Sequence, residues 1–352
     1  MTGLGKHRVL VTGGAGFIGA HACKALAEAG ALPVAFDNLS TGHADAARWG
    51  PLVRGDVRDR GALTSAMRQF RISTIMHFAA SAYVGESVTD PAIYFDNNVG
   101  GMISLLDAAR DARVGQIVFS SSCATYGAPD VLPISEFTPQ MPINPYGRTK
   151  LICEQMLADY SAAYGLRHVC LRYFNAAGAD PSGVIPERHE PETHLLPLAM
   201  RAAQGGTPLQ IFGKDYDTPD GTCIRDYIHV CDLARGHLLA LRHLDGGQGN
   251  LSVNLGSGSG HSVLDVVAAV TRATGKQVPL RFAARRAGDP AVLLADPTLA
   301  KRVLGFQTEM SDIDTMVGTI SGVGTISGVG TISGDGRFFA PVARPVQDAK
   351  IA

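Results

Sequence analysis

The sequence lacks the features that would direct it to a nucleic acid, a membrane or an oxidising compartment. Lys and Arg together number 31 against 32 for Asp and Glu, so no field of one sign draws the chain to nucleic acid or to an anionic lipid surface. No apolar signal-like run precedes the first strand-like segment, and no later stretch has the unbroken apolar length of a bilayer span. A cytoplasmic home is therefore expected. The six cysteines, Cys23, Cys123, Cys153, Cys170, Cys223 and Cys231, are scattered without a Cys-x-x-Cys pair, which argues against a zinc ribbon or a disulfide framework. Buried or idle thiols are the better reading.

What is present suits a large folded unit. The chain has 352 residues, 45% of them hydrophobic and 18% charged, enough for one large or two coupled domains. Short β-rich runs at 9–12, 32–37, 52–55, 74–79, 116–121 and 168–174 alternate with helix-patterned stretches at 19–30, 60–70, 100–111 and 147–164. Repeated βα units of this size build a parallel, doubly wound α/β sheet of the Rossmann type. After about residue 175 the alternation stops, and a smaller mixed α/β substrate-binding domain is expected over 176–315. Its legible elements are helices at 195–204 and 263–274 and strands at 209–212 and 252–255, while 227–258 is expected to return in part to the first domain, 1–175. From 316 to 352 the chain becomes low in complexity, with the hexads GTISGV, GTISGV and GTISGD over 318–335. Three hexads are too few for a self-supporting solenoid, so a flexible or loosely β-like tail is expected.

The first informative motif is the run from Val9 to Gly19. A buried-strand pattern leads directly into glycines spaced G-x-x-G-x-x-G and then into a helix beginning with Phe17 and Ile18. Gly13 allows the tight turn, Gly16 lets backbone approach a pyrophosphate, and Gly19 lets the helix lie close to the strand. The next strand ends at Asp37, the distance at which an acid meets the adenosine ribose hydroxyls. Asp37 would repel a 2′-phosphate and Asn38 supplies no cation, which favours NAD over NADP. Asp56, after the third strand, can accept a hydrogen bond from an adenine amino group or cap the following helix.

The second cluster is Tyr146-Gly147-Arg148-Thr149-Lys150 at a helix start. Residues four apart share a helical face, so the Lys150 ammonium is expected beside the Tyr146 ring. An ordinary phenol, with a pKa near 10, is a poor base at neutral pH. A neighbouring Lys⁺, together with the positive charge of oxidised nicotinamide, would stabilise the phenolate and make Tyr146 a usable acid/base. The strand 116–121 runs into Ser120-Ser121-Ser122, and carboxyl ends of such strands are where ligands bind. Ser122 is therefore expected to hydrogen-bond the reacting hydroxyl.

Taken together, Gly13–Gly19, Asp37-Asn38, Phe78-Ala79-Ala80, Val84-Gly85-Glu86-Ser87, Asn97-Asn98-Val99, Ser120-Ser121-Ser122, Pro145-Tyr146-Gly147, Arg172-Tyr173-Phe174-Asn175 and the run Arg225 to Val230 resemble the UDP-glucose 4-epimerases of the extended short-chain dehydrogenase/reductase family. The resemblance spans about residues 9–313. It implies that Ser122, Tyr146 and Lys150 are catalytic. It implies that Asp56, Val57, Phe78, Ala79, Ala80, Asn97, Ser120, Lys150 and Tyr173 join the glycine loop in lining an NAD site. It further implies that Asn175, His194, Leu195, Gln210, Phe212, Arg225, Arg286 and Asp289 approach a UDP-sugar. Arg225 and Arg286 are the residue type that clamps a diphosphate through forked, charge-assisted hydrogen bonds.

The activity so implied interconverts UDP-galactose and UDP-glucose through a transient 4-keto sugar on tightly held NAD, either in galactose metabolism or in supply of UDP-galactose for polysaccharide. A homodimer is implied through helices near 100–110 and 146–164. Epimerases of other UDP-sugars keep the same trio, and the position matching Leu293 bears on N-acetyl tolerance. A 4,6-dehydratase is disfavoured because Cys123-Ala124 stand where it places an Asp-Glu pair. A silent NAD-binding regulator would retain the glycine loop without the acid/base pair. The segment His189-Glu190-Pro191-Glu192-Thr193-His194 has histidines five apart with Pro191 between, unlike the i, i+4 pair of zinc proteases, so a loop near substrate and no metal are expected. Beyond Asp314 the family's final tryptophan-bearing helix is replaced by the repeat, and Trp49 is the sole tryptophan.

Overall fold

A computed structural model describes residues 4–185, 187–286 and 289–321. Its centre is a seven-stranded sheet, β1 (Arg8–Thr12), β2 (Leu32–Asp37), β3 (Leu52–Arg54), β4 (Thr74–His77), β5 (Gln116–Ser122), β6 (Arg167–Tyr173) and, later in the chain, β10 (Leu251–Leu255). The spatial order is β10-β6-β5-β4-β1-β2-β3, with every neighbouring pair parallel. The order reverses between β1 and β4. A sheet wound outward in both directions from one such point opens a crevice at its carboxyl edge, where ligands bind.

The helices that return the chain between strands are α1 (Phe17–Glu28), α2 (Arg60–Gln69), the short α3 (Val84–Thr89) and α4 (Pro91–Tyr94), α5 (Gly101–Ala112) and α6 (Pro145–Tyr164). Strands covered on both faces need apolar side chains at every position rather than at alternate ones. Val9 and Val11 accordingly face one core with Cys23 and Leu26 of α1, while Leu10 between them faces the other with Leu63, Met67, Leu105 and Leu157. The free cysteines Cys23, Cys153 and Cys170 are buried in these cores, as expected from their scatter in the sequence.

The second region contributes β7 (Asn175–Ala177), α7 (Leu195–Ala203), β8 (Leu209–Phe212), β9 (Ile224–His229), α8 (Val230–Asp245), β11 (Gly260–Ser262), α9 (Val263–Thr274), β12 (Leu280–Ala283), β13 (Val292–Leu293), α10 (Thr298–Leu304) and α11 (Ile313–Ser321). Strands β7, β9, β11 and β13 form one small sheet, and β8 pairs with β12 in another. The chain crosses back after β9. Leu233, Ala240, Leu241 and Leu244 of α8 join the core lined by α1, and β10 extends the large sheet beside β6. Strand 252–255, read in the sequence as an element of the smaller region and also as part of the stretch 227–258 returning to the first domain, pairs with β6 in the large sheet. Ala240, Val253 and Leu255 are apolar enough to be buried under either assignment, and a strand's partner is not encoded in its own pattern.

The tail expected from 316 starts later than its composition suggests. Ile313, Met316, Val317 and Ile320 recur at helical spacing, and α11 buries them against α7 and α9. Thr319, inside the first hexad, accepts from the Ala179 backbone N–H at 3.0 Å and meets His229 Nε2 at 3.2 Å. Ile313, Met316 and Val317 precede the first hexad, which adds only Ile320 to the stripe. The remaining repeats and the rest of the tail lie outside the described residues.

Four histidines are held uncharged by the fold. Burial pushes His77 down to about 3 and His21, His229 and His237 down to about 4, partly offset in His21 and His237 by hydrogen bonds to the Phe17 and Leu233 carbonyls. Their folded pKa values lie below the unfolded value near 6.5. The unfolded chain therefore binds more protons between those limits, and the stability these groups contribute is complete above about pH 6.5 and lost as pH falls toward 4. Urea midpoints are expected to drop between pH 7 and pH 5. The drop should be smaller in His237→Phe, whose ring keeps the contacts to Phe78 and Tyr173; an equal pH slope in parent and variant would contradict the assignment for His237.

Candidate active site

The carboxyl ends of β1, β2, β4, β5 and β6 and the loops that leave them gather the residues that the motifs single out. Gly13 turns with φ +71°, and a Cβ there would lie 2.7 Å from the Ala79 nitrogen; one at Gly19 would lie 2.1 Å from the Gly13 carbonyl oxygen. These two glycines are demanded by close packing of strand, loop and helix. Gly16 differs. A Cβ there meets only the Gly13 oxygen, at 3.3 Å, so the outer side of the loop is open at the amino end of α1, the geometry that cradles a pyrophosphate. Phe17 and Ile18 follow as the first residues of α1.

Asp37 closes β2 with its carboxylate already oriented. Oδ2 accepts from the Ala15 N–H at 3.0 Å and Oδ1 from the Leu39 N–H at 2.8 Å, the latter with Leu39 at φ 60°. An acceptor so fixed at the second strand's end suits ribose hydroxyls and opposes a phosphate. Asn38 donates to Asp56 Oδ2 at 3.1 Å. Asp56 also takes the Arg58 guanidinium at 2.7–2.8 Å, and this pairing with Arg58 holds its carboxyl well below the usual range despite some burial. The cap of α2 is Asp59, which accepts from Ala62 N–H at 2.9 Å, so Asp56 does not cap that helix. Val57 is packed beneath Gly101.

Phe78, Ala79 and Ala80 follow β4, where the Phe78 and Ala79 amides donate to the Thr12 carbonyl. Asn97 sits in the π-helical turn Phe95–Gly100 and donates to Ser81 Oγ at 3.3 Å. The fixed carboxylate, the glycine cradle and the open loop face fit an NAD molecule laid across the switch point.

Tyr146 and Lys150 occupy the first turns of α6, whose start is set by Asn144 accepting from the Gly147 N–H at 2.8 Å. Lys150 Nζ lies 5.8 Å from the Tyr146 ring centroid and donates to the Ser120 carbonyl at 2.7 Å. Burial pushes Lys150 down to about 8, with Cys153 and Glu154 pulling the other way. Tyr146 is pushed well above the ordinary phenol by burial and by Tyr173, and a hydrogen bond with Ser122 opposes the rise. The sequence expectation joined Lys150 to the positive charge of an oxidised nicotinamide; in the protein alone desolvation outweighs a cation whose ammonium donates to a backbone carbonyl. A second positive charge is needed beside the ring.

The three serines divide their work. Ser120 Oγ lies 2.5 Å from the Tyr173 hydroxyl at the end of β6. Ser121 turns to the other face and donates to Glu154, which is clamped by Arg172 at 2.6 Å; Arg172 in turn donates to Tyr126, and Tyr126 to Asn254. This buried network was not anticipated: Ser121 and Arg172 lie in motifs of the sequence, but Glu154, Tyr126 and Asn254, scattered along the chain, do not. Ser122 accepts from Ala124 N–H at 3.1 Å and is hydrogen-bonded to Tyr146.

Residues expected near a nucleotide lie across the small sheets. Arg225 on β9 is ion-paired with Asp289, and Arg286 stacks its guanidinium 3.9 Å above the Phe212 ring of β8. Gln210 lies two residues from Phe212 on the same strand. Asn175 Nδ2 donates to the Asp226 carbonyl at 2.8 Å, and His194 caps α7 just before Leu195, with its Nδ1 2.8 Å from Glu192. Asp226 itself, buried and given no role of its own in the sequence motif that contains it, accepts from the Ser257, Gly258 and Ala295 amides and so ties Arg225's strand to the returning chain. Cys123, at the place of a dehydratase carboxylate, is pushed up to about 12 by burial.

Known proteins share this architecture throughout. Residues 9–256 match the NAD dependent epimerase/dehydratase family. A UDP-glucose 4-epimerase of Rhizobium meliloti (strain 1021) is 50% identical over 86% of this chain and 93% of its own length. The crystal structure of UDP-glucose 4-epimerase from Brucella ovis in complex with NAD superposes with a TM-score of 0.87 at 60% identity, covering 89% of this chain and 97% of that one. That from Bifidobacterium longum, in complex with NAD⁺ and UDP, gives 0.85 at 39% identity over 90% and 97%. With its glycine cradle, fixed Asp37 and buried Ser122, Tyr146 and Lys150 on one edge of a doubly wound sheet, the chain belongs to the NAD dependent epimerase/dehydratase family.

Proposed function

We propose that this chain is a UDP-glucose 4-epimerase, interconverting UDP-galactose and UDP-glucose. The observation that carries the reading is the convergence of Ser122, Tyr146 and Lys150 at the carboxyl edge of β5 and the start of α6, beside the glycine cradle. Gly13, Gly16, Gly19 and Asp37 would hold the NAD⁺, which would supply a two-electron oxidant for the C4 carbinol and a positive charge to the pocket. Tyr146 takes the O4 proton and gives it back, Ser122 hydrogen-bonds that oxygen, and Lys150 holds the Ser120 carbonyl while adding positive charge to the pocket. Burial keeps water from the 4-keto sugar and strengthens each of these interactions. The oxidised cofactor is regenerated in every cycle, so it can stay bound.

Arg225 and Arg286 are the cations we assign to the diphosphate. Each is already oriented, one by Asp289 and the other by Phe212, and an oriented guanidinium loses less freedom on binding. Asn175, His194, Leu195, Gln210 and Asp289 complete the UDP-sugar side of the pocket in this reading. Leu293, paired in register with Arg225, leaves more room than a tyrosine would. Turnover of UDP-N-acetylglucosamine beside UDP-glucose measures that breadth.

A homodimer is the assembly we assign, with α5 and α6 meeting their copies about a two-fold axis. Its support is the exposed apolar surface there, Ile103 at 48% and Phe95 beside it at 37%. Sedimentation velocity should show a dimer that Ile103→Glu weakens; a monomeric parent at micromolar concentration would contradict the assignment.

Tyr146→Phe is expected to lower kcat for UDP-galactose by at least roughly 100-fold, the lower range for loss of a positioned acid/base, with NAD still bound in the parent's ratio. A variant within a few-fold of the parent would overturn the role given to Tyr146, and NADH released in proportion to turnover would overturn the reaction class.

A further inference from the structure

The loop that enters α7 brings together four side chains of metal-ligating type. One ligand atom each from Glu187, His189, Glu192 and His194 can be chosen so that all lie within 4.8 Å of one another. His189 Nδ1 is 3.8 Å from a Glu187 oxygen and 3.5 Å from Glu192 Oε2. Ligands at zinc bond lengths in a tetrahedron are separated by about 3.4 Å. The spacing is therefore close to what a single ion would draw in.

A second observation points to a ligand. The Glu187 and Glu192 side chains are only 4% and 1% exposed, yet Glu187 Oε2, Glu192 Oε2 and His189 Nδ1 are buried with no hydrogen-bond partner. The other Glu192 oxygen is amply satisfied by the Thr193 and His194 amides and by His194 Nδ1, at 2.8–2.9 Å. Those contacts fix the carboxylate so that Oε2 points into the cluster. Two buried carboxylates with unfilled lone pairs are costly without a compensating cation. His189 and His194 compensate Glu192 only when protonated, burial and Glu192 push Glu187 up to about 8, and the permanent cation at the cluster, Arg201, is 58% exposed and 4.0 Å from Glu192. His194, 42% exposed, leaves a path from solvent.

We propose that Glu187, His189, Glu192 and His194 bind a divalent transition metal of the zinc type. Two imidazoles and two carboxylates neutralise such an ion's charge and suit its preference for tetrahedral N/O donors. The helical i, i+4 test applied to the sequence does not detect the site because its ligands come from a loop, at spacings of two, three and two residues. The site lies between two functional elements. His189 packs edge-on against Phe17 at the head of α1, 5.5 Å between rings, and His194 caps α7. A bound ion would therefore clamp the substrate-side helix to the cofactor loop without touching the reacting atoms.

The test uses the full-length protein with its NAD, stripped by chelator and titrated calorimetrically with zinc chloride. About one zinc per chain is expected, with cobalt substitution giving the intense visible bands of a four-coordinate ion. His189→Ala and Glu192→Gln should each weaken zinc binding by at least about 10-fold, the least that loss of an outer-shell partner alone costs. Zinc should raise the thermal midpoint of the parent but not of His189→Ala. Glu187→Gln, which removes one charge and keeps the shape, serves if either variant fails to fold. Absence of saturable zinc uptake by the parent, or uptake unchanged by these substitutions, would overturn the proposal.

Discussion

Burial of the Tyr146 hydroxyl at the carboxyl edge of the sheet is the constraint on which the rest of the site depends. In a water-poor pocket a phenolate is expensive, and the residues around Tyr146 in the protein alone push its pKa up. The same burial pushes Lys150 down to about 8, so the cation is held near the boundary between its charge states while the phenol is held firmly protonated. A further positive charge beside the ring would favour the phenolate. The glycine cradle, Asp37 and the open face of the loop lie where a dinucleotide would bring that charge beside the phenol. Acid/base power is then tied to cofactor occupancy rather than built permanently into the chain.

The surrounding structure serves to keep that edge rigid. The Glu154–Arg172 pair lies under Ser121, bonded on to Tyr126 and Asn254, and joins β5, β6, α6 and β10 below the serines. Buried ion pairs add little net stability but are costly to break, so this one fixes strand ends relative to the helix that carries Tyr146. Asp226 does the same on the substrate side, through amides of two returning loops. Lys24 and Asp180, 2.6 Å apart, tie α1 to the segment that follows β7.

Much of this was legible in the sequence because it is local. The strand and helix periods of residues 9–174 are set by burial on both faces of a parallel sheet, and the glycine loop, the Ser run and the Tyr-x-x-x-Lys turn each act within one turn or strand end. What stayed hidden is long-range or disguised. The membership of β10 in the large sheet depends on its partner β6, the Glu154–Arg172 network joins residues far apart in the chain, and α11 runs its apolar stripe from before the repeat into the first hexad. The role of Lys150 was read from its spacing and from the family resemblance, neither of which tells that its Nζ donates to the Ser120 carbonyl.

Direct titration of the phenol addresses the central claim. Ultraviolet difference spectra of the NAD-loaded parent minus NAD-loaded Tyr146→Phe, followed across pH, report the ionisation of Tyr146. The account predicts a midpoint below that of a free phenol, near 10, and a shift upward when the cofactor is in its reduced, uncharged form. A midpoint at or above 10 with oxidised NAD bound would contradict it.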